Sequence, residues 1–267
     1  MSHPLQVVRL SGSLGAEVRG VPIGKVGPAE AKEIEALLLE HLVLFFPEQD
    51  PTVDEHVAFG RHFGTLEGHP NLSNPFSDHP ELFELAATRG GIADEWHSDI
   101  TFQDQPSIMA ILHMVKCPAV GGDTMWSNMY KAYDELSAPL RDLCDGLTAL
   151  HDAAPHGKPE SMTVHPVVRV HPVTGRRSLF VNEHFTRRIV ELSREESDVL
   201  LGYLTRWVTN PRFTVRYRWT QGTVAMWDNR CYVRGRYAGA TSRYDRQLNE
   251  YLGRRIQTLE SNRKDDA

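Results

Sequence analysis

EWHSDITFQDQPSIMAILHMVKCPAVGGDTMWSNMYKAYDEL, residues 95–136, is the stretch on which the fold turns. Its apolar groups come in short runs punctuated by Pro106, Pro118 and the Gly121–Gly122 pair. Such punctuation marks short strands joined by turns rather than long helices. Inside it, Trp96-His97-Ser98-Asp99 sets an imidazole and a carboxylate two residues apart. On a strand, residues i and i+2 share a face, so His97 and Asp99 aim their donors at one point. Together they are two members of a two-His-one-carboxylate set, the arrangement that leaves positions open on Fe(II). The tripeptide alone is common by chance, and its plain alternative is a His–Asp hydrogen bond at a strand end.

Working outward, residues 5–26 alternate short apolar groups with Gly and Pro and read as strands and turns. Ala29 to His41 carries Ile34, Leu37 and Leu38 at helical spacing, with Leu42 just beyond. Val43 to Phe46 is a buried strand ended by Pro47, and Thr52 to Phe63 is a second helix. Residues 138–147 form a third helix on Leu140, Leu143 and Leu147. Ser193-Arg-Glu-Glu196 has capping-box spacing and opens a fourth helix over 194–208. Phe213 to Trp219 and Thr223 to Trp227 alternate as strands. Polar, Pro/Gly-containing His151 to Thr163 reads as a surface loop or lid, and Glu260 to Ala267 as a frayed tail. The sum is a mainly β chain with peripheral helices, a jelly roll. Without a repeat or linker, 1–267 is expected to be one domain.

Composition excludes more than it identifies. A formal net charge of −6 argues against a nucleic-acid partner. Three scattered cysteines, Cys117, Cys144 and Cys231, argue against a disulfide framework and for a reducing cytoplasm. The first residues lack a signal-peptide pattern, and the longest apolar run, Leu37 to Phe46, is too short for a bilayer.

Beyond these local readings, residues 95–136 resemble the core of the taurine dioxygenase and 2,4-D dioxygenase family. HPVVRVHPVTGRRSLFVNEHFTRRI, 165–189, and RWTQGTVAMWDNR, 218–230, resemble two further signatures, and VLFFPEQ also fits. The likeness is clear to about residue 230. It implies a double-stranded β-helix, Fe(II), and 2-oxoglutarate as co-substrate, with O2 consumed to hydroxylate a small anionic organic substrate such as a sulfonate, sulfate ester or carboxylate. His97 and Asp99 match the first two metal ligands. Thr124 matches a residue contacting 2-oxoglutarate. His69 and Phe185 match substrate-side positions, and Ala93 falls where taurine enzymes carry asparagine. The likeness also implies a homo-oligomer.

The likeness fails after Arg230. The third ligand should be a histidine, yet direct alignment places Arg234 there, and a two-residue slide places Arg236. The last histidine of the chain is His184. A guanidinium stays protonated and has no lone pair for a cation. Of the expected arginine pair, Arg255 takes the substrate-side place and is the candidate for an anion-binding role at the co-substrate. Tyr251 then falls at the clamp, unless Arg246 or Arg254 serves. Residues 231–267 are therefore a divergent end making an impaired enzyme or binding protein, a corrupted end, or a segment where another group such as Cys231 or Asp228 completes the site.

Overall fold

The computed structural model describes residues 5–70, 76, 78–86, 95–236 and 252–259. In chain order these form β1 (Gln6–Arg9), β2 (Ala16–Arg19), α1 (Pro28–His41), β3 (Val43–Phe46), α2 (Val53–Arg61), β4 (Thr65–Glu67) and β5 (Phe83–Ala86). There follow β6 (Met109–Lys116), β7 (Thr124–Asn128), α3 (Met129–Asp134), α4 (Ala138–Asp145), β8 (Thr148–Ala153) and β9 (Lys158–Pro166). The rest is β10 (Val168–Val170), β11 (Arg177–Leu179), β12 (Thr186–Ile189), α5 (Arg194–Trp207), β13 (Thr214–Tyr217), β14 (Val224–Asp228), β15 (Tyr232–Arg236) and β16 (Leu252–Leu259). Among the described residues, the main sheet runs β1-β2-β3-β14-β6-β16-β4, with β5 also on β16. A second sheet, β13-β7-β15, faces it, and β12-β8-β9 forms a third.

The expected mainly β jelly roll with peripheral helices is what these sheets build. Each central strand is buried on both faces. On β6, Met109 and Ile111 meet the α1–α2 layer, while Ala110, Leu112 and Met114 face the second sheet. β14 divides in the same way, Val224 and Met226 outward, Ala225 and Trp227 inward. A strand covered on both sides reads as a continuous apolar run, which explains VLFF and MAILHM. Between the sheets, Phe45 stacks on Tyr217 at 3.7 Å between ring centroids. Phe45 also meets the Trp126 ring edge-on at 5.2 Å, a contact that adds to the area it buries.

Helix starts follow their local chemistry. Thr52 accepts from the Glu55 amide while Glu55 reaches back to the Thr52 amide, and Ser193 and Glu196 do the same for α5. The expected loop or lid over 151–163 is different. Residues 151–153 end β8, and β9 from Lys158 pairs antiparallel with β8. The segment is polar because most of β9 faces water, not because it lacks structure.

The segment after Arg230 is built into the barrel. β15 pairs with β7, and β16 pairs with β6, β5 and β4. Ile256 lies fully buried in the outer core. Tyr251, Arg246 and the tail from Glu260 lie outside the described residues, as does Ala93.

Candidate active site

His97 is held by the backbone before its side chain does anything. It forms an isolated antiparallel bridge with Arg234, His97 N–H donating to the Arg234 carbonyl and Arg234 N–H to the His97 carbonyl, both at 2.8 Å. The pairing puts both side chains on one face of the two segments. Asp99 follows two residues on. The chain then turns at Ile100, whose φ of 45° is strained for a β-branched residue. Burial of Ile100 with Phe102, Ala153 and Phe185 holds that turn in place.

The side chains meet as the spacing predicts. His97 Nδ1 lies 2.8 Å from the Glu95 carbonyl, so this nitrogen carries the proton and donates. Nε2 is left with its lone pair. Arg234 donates to it through Nη2 at 3.1 Å, and the same Nη2 lies 3.4 Å from Asp99 Oδ1. Arg255 donates to the other carboxylate oxygen of Asp99. Trp227 forms the wall: both guanidinium carbons lie 5.0 Å from its ring, and its Nε1 is 3.4 Å from Asp99 Oδ2.

Electrostatics follow from burial and these partners. Burial, then the Arg234 guanidinium, pushes the His97 pKa down to about 3, against the pull of Asp99. Burial alone would raise Asp99, but Arg255 and Arg234 hold its carboxyl well below the usual range. His97 is thus neutral and Asp99 ionised at pH 7.

A divalent metal does not fit this arrangement. The His97 lone pair and both Asp99 oxygens are already taken by guanidinium groups. A doubly charged ion about 4 Å from one guanidinium would be repelled by roughly 8 kcal/mol at an effective dielectric constant of 20. Among the described residues, no three His, Cys, Asp or Glu side chains are arranged to hold a metal ion. Asp228 is engaged by Arg230 and His171, and Cys231 donates to the Asp228 carbonyl, so neither is turned to the His97–Asp99 point.

The other expected residues are placed as follows. Thr124 faces the interior beside Trp126 on β7, and its hydroxyl accepts from Trp219 Nε1 at 2.9 Å. Phe185 is buried with its ring 6.5 Å from that of His97. His69 joins the same wall at one remove: its ring is 5.6 Å from His156, which is 5.6 Å from Phe185. Burial, then the Arg255 charge, lowers the His69 pKa to about 3. Arg254 turns to the outer face towards Glu84. Arg236 lies on β15, and its side chain is outside the described residues.

Two participants were missed in the sequence: Trp227 and His156. Trp227 had a usable signal, since it shares the inward face of its strand with Ala225. His156 had none beyond proximity to turns.

The chain matches a family model described as "Taurine catabolism dioxygenase TauD, TfdA family" over residues 6–248. That match runs past residue 230 and includes Arg234. An alpha-ketoglutarate-dependent sulfate ester dioxygenase of Pseudomonas putida is 39% identical over 249 residues, 85% of this chain and 82% of its own length. A fission-yeast protein (Schizosaccharomyces pombe) described as an alpha-ketoglutarate-dependent sulfonate dioxygenase is 34% identical over 85% of this chain, and the chain spans 64% of its length. A crystal structure of a taurine dioxygenase from Burkholderia xenovorans superposes with a TM-score of 0.86 at 38% identity, covering 96% of this chain and 90% of that one.

Proposed function

Since this chain belongs to the TauD/TfdA dioxygenase family, we propose that it works in that family's reaction class, oxidising a small anionic organic molecule with 2-oxoglutarate and O2. Sulfate esters and sulfonates are the favoured substrate class, because relatives similar along most of this chain are described as acting on them. The observation that carries the reading is the convergence of His97, Asp99, Arg234 and Arg255 at the point where such a reaction needs a metal and an anion.

His97 and Asp99 are the proposed metal-side residues. Arg255 and Thr124 are proposed to face the co-substrate, and His69 and Phe185 the substrate. In the family, iron supplies oxygen activation when bound. In this chain Arg234 stands where a third donor would be required. What the chain's own residues do is hold a neutral imidazole and an ionised carboxylate in fixed orientation, present two guanidiniums to an anion, and line the approach with Phe185, His156 and His69. Small molecules and O2 are its proposed partners, in a cytoplasmic homo-oligomer. No described helix is long and apolar enough to cross a membrane.

A second reading, a catalytically impaired member that binds the same anions, is favoured by the Arg234–His97 contact. One experiment separates them. Protein supplied with Fe(II), 2-oxoglutarate and a panel of alkyl sulfates and sulfonates is assayed for succinate against His97→Ala. Succinate above that control supports the dioxygenase. None across the panel, with folding intact, refutes it for this chain.

A further inference from the structure

Arg234 and Arg255 reach Asp99 from opposite walls of the barrel, one on β15 in the second sheet and one on β16 in the main sheet. Asp99 binds one guanidinium at each oxygen, and His97 supplies an acceptor to Arg234. The two donor side chains of the family are therefore held by cations that belong to the chain. A guanidinium pair of this kind disfavours a metal ion and favours an anion, since each fork matches a carboxylate or sulfate edge.

A second, independent feature lies beside them. Gln257 follows Arg255 by two residues on β16, so both point into the barrel. Its side chain is fully buried, and neither its amide nitrogen nor its amide oxygen has a hydrogen-bond partner. Directly across the ladder stands Glu67, whose Oε1 is likewise without a partner. Burial raises the Glu67 pKa to about 7, so a neutral, donating carboxyl is accessible there near neutral pH. A buried amide left unpaired is costly, and folded proteins seldom tolerate one without a ligand or water to satisfy it.

We propose that this end of the barrel is a metal-independent site for a small organic dicarboxylate, with one charged group on Arg234 and Arg255 and a second polar group on Gln257. The proposal rests on the functional reading above only for the anionic nature of the ligand, and departs from it in requiring no metal.

The test is a calorimetric titration of the intact protein with 2-oxoglutarate in excess EDTA, repeated with Mn(II) in place of EDTA. Saturable binding is expected in EDTA, with the Kd unchanged within about twofold by Mn(II). Gln257→Leu is expected to weaken it about tenfold, the scale of one buried hydrogen-bonding group. Arg255→Lys, which keeps the charge and loses the fork, is expected to weaken it by a similar factor of about ten. Arg234→His is expected to make binding respond to Mn(II), strengthening more than about tenfold when metal is added. Far-ultraviolet circular dichroism checks each variant. If Gln257→Leu does not fold, Arg255→Lys carries the same comparison.

Binding that appears only with Mn(II), or in neither condition, overturns the proposal. Failure of the dioxygenase reading looks different: binding in EDTA with no succinate from the unmodified protein refutes turnover and leaves this site standing. Turnover with Fe(II) and no binding in EDTA does the reverse.

Discussion

Lowering the pH from 7.5 to 5.5 will strip this fold of much of its stability, through histidines it buries uncharged. Burial is the leading cause in each case: His56, His69, His97 and His151 are all pushed down to a pKa of about 3. In the unfolded chain each titrates near its ordinary value of about 6.5. Between these values the unfolded state binds more protons than the folded one. Stability is therefore full well above pH 6.5 and falls as pH drops from there towards 3. From pH 7.5 to 5.5 the loss is about 1.4 kcal/mol per histidine, or on the order of 5 kcal/mol for the four. Glu67 works the other way. Its folded pKa is raised to about 7, so it binds its proton earlier when folded and gains stability as pH falls. Discounted for its partial exposure, it returns about 1 kcal/mol. A net loss of about 4 kcal/mol is a large part of a typical 5–15 kcal/mol. Urea unfolding in EDTA, followed by tryptophan fluorescence at pH 7.5, 6.5 and 5.5, should show the midpoint falling steeply at constant m. His56→Phe should remove about a third of the net pH dependence. A midpoint that stays level or rises towards pH 5.5 would refute the assignment of these histidines as buried and neutral.

Three further outcomes follow from the geometry. Arg234→Met should change stability by less than about 1.5 kcal/mol, because Asp99 keeps Arg255, whereas Arg255→Met should cost about 3–5 kcal/mol by leaving Asp99 only the 3.4 Å contacts with Arg234 and the neutral Trp227 indole; chemical denaturation of the two variants, with the order reversed, would show the charge balance misread. Gly222→Ala should destabilise by more than about 2 kcal/mol, since φ is +79° and an added Cβ would meet the Gln49 carbonyl oxygen at 2.6 Å; a thermal melt within a degree of the parent protein would contradict this. Ser193→Ala should cost about 1 kcal/mol by removing the α5 cap, measured as a shift in the denaturation midpoint.

Much of this molecule is legible in its sequence because the information is local. Capping boxes at Thr52 and Ser193, the apolar runs of β3 and β6, and the same-face spacing of His97 and Asp99 each need only a few neighbouring residues to be read. The absence of any histidine after His184 to serve as third ligand is equally plain, since a side chain that is not encoded cannot be supplied by folding. What the sequence could not decide is what takes its place. The alignment left Arg234 and Arg236 as equals, and only the bridge between His97 and Arg234 sets one guanidinium against the imidazole. It singled out Arg255 with Arg246 or Arg254 as substitutes at the clamp, and only the register of β16 turns Arg255 inward to Asp99 while Arg254 turns out to Glu84. It read 151–163 as a loop because a strand with one face in water carries polar residues, and only its pairing with β8 distinguishes the two. The arginine contacts join residues more than a hundred positions apart, and even the β8–β9 pairing is a matter of register between strands. A one-residue slip of a strand reverses every one of them, and register is fixed by the packing of whole sheets rather than by any short stretch of sequence.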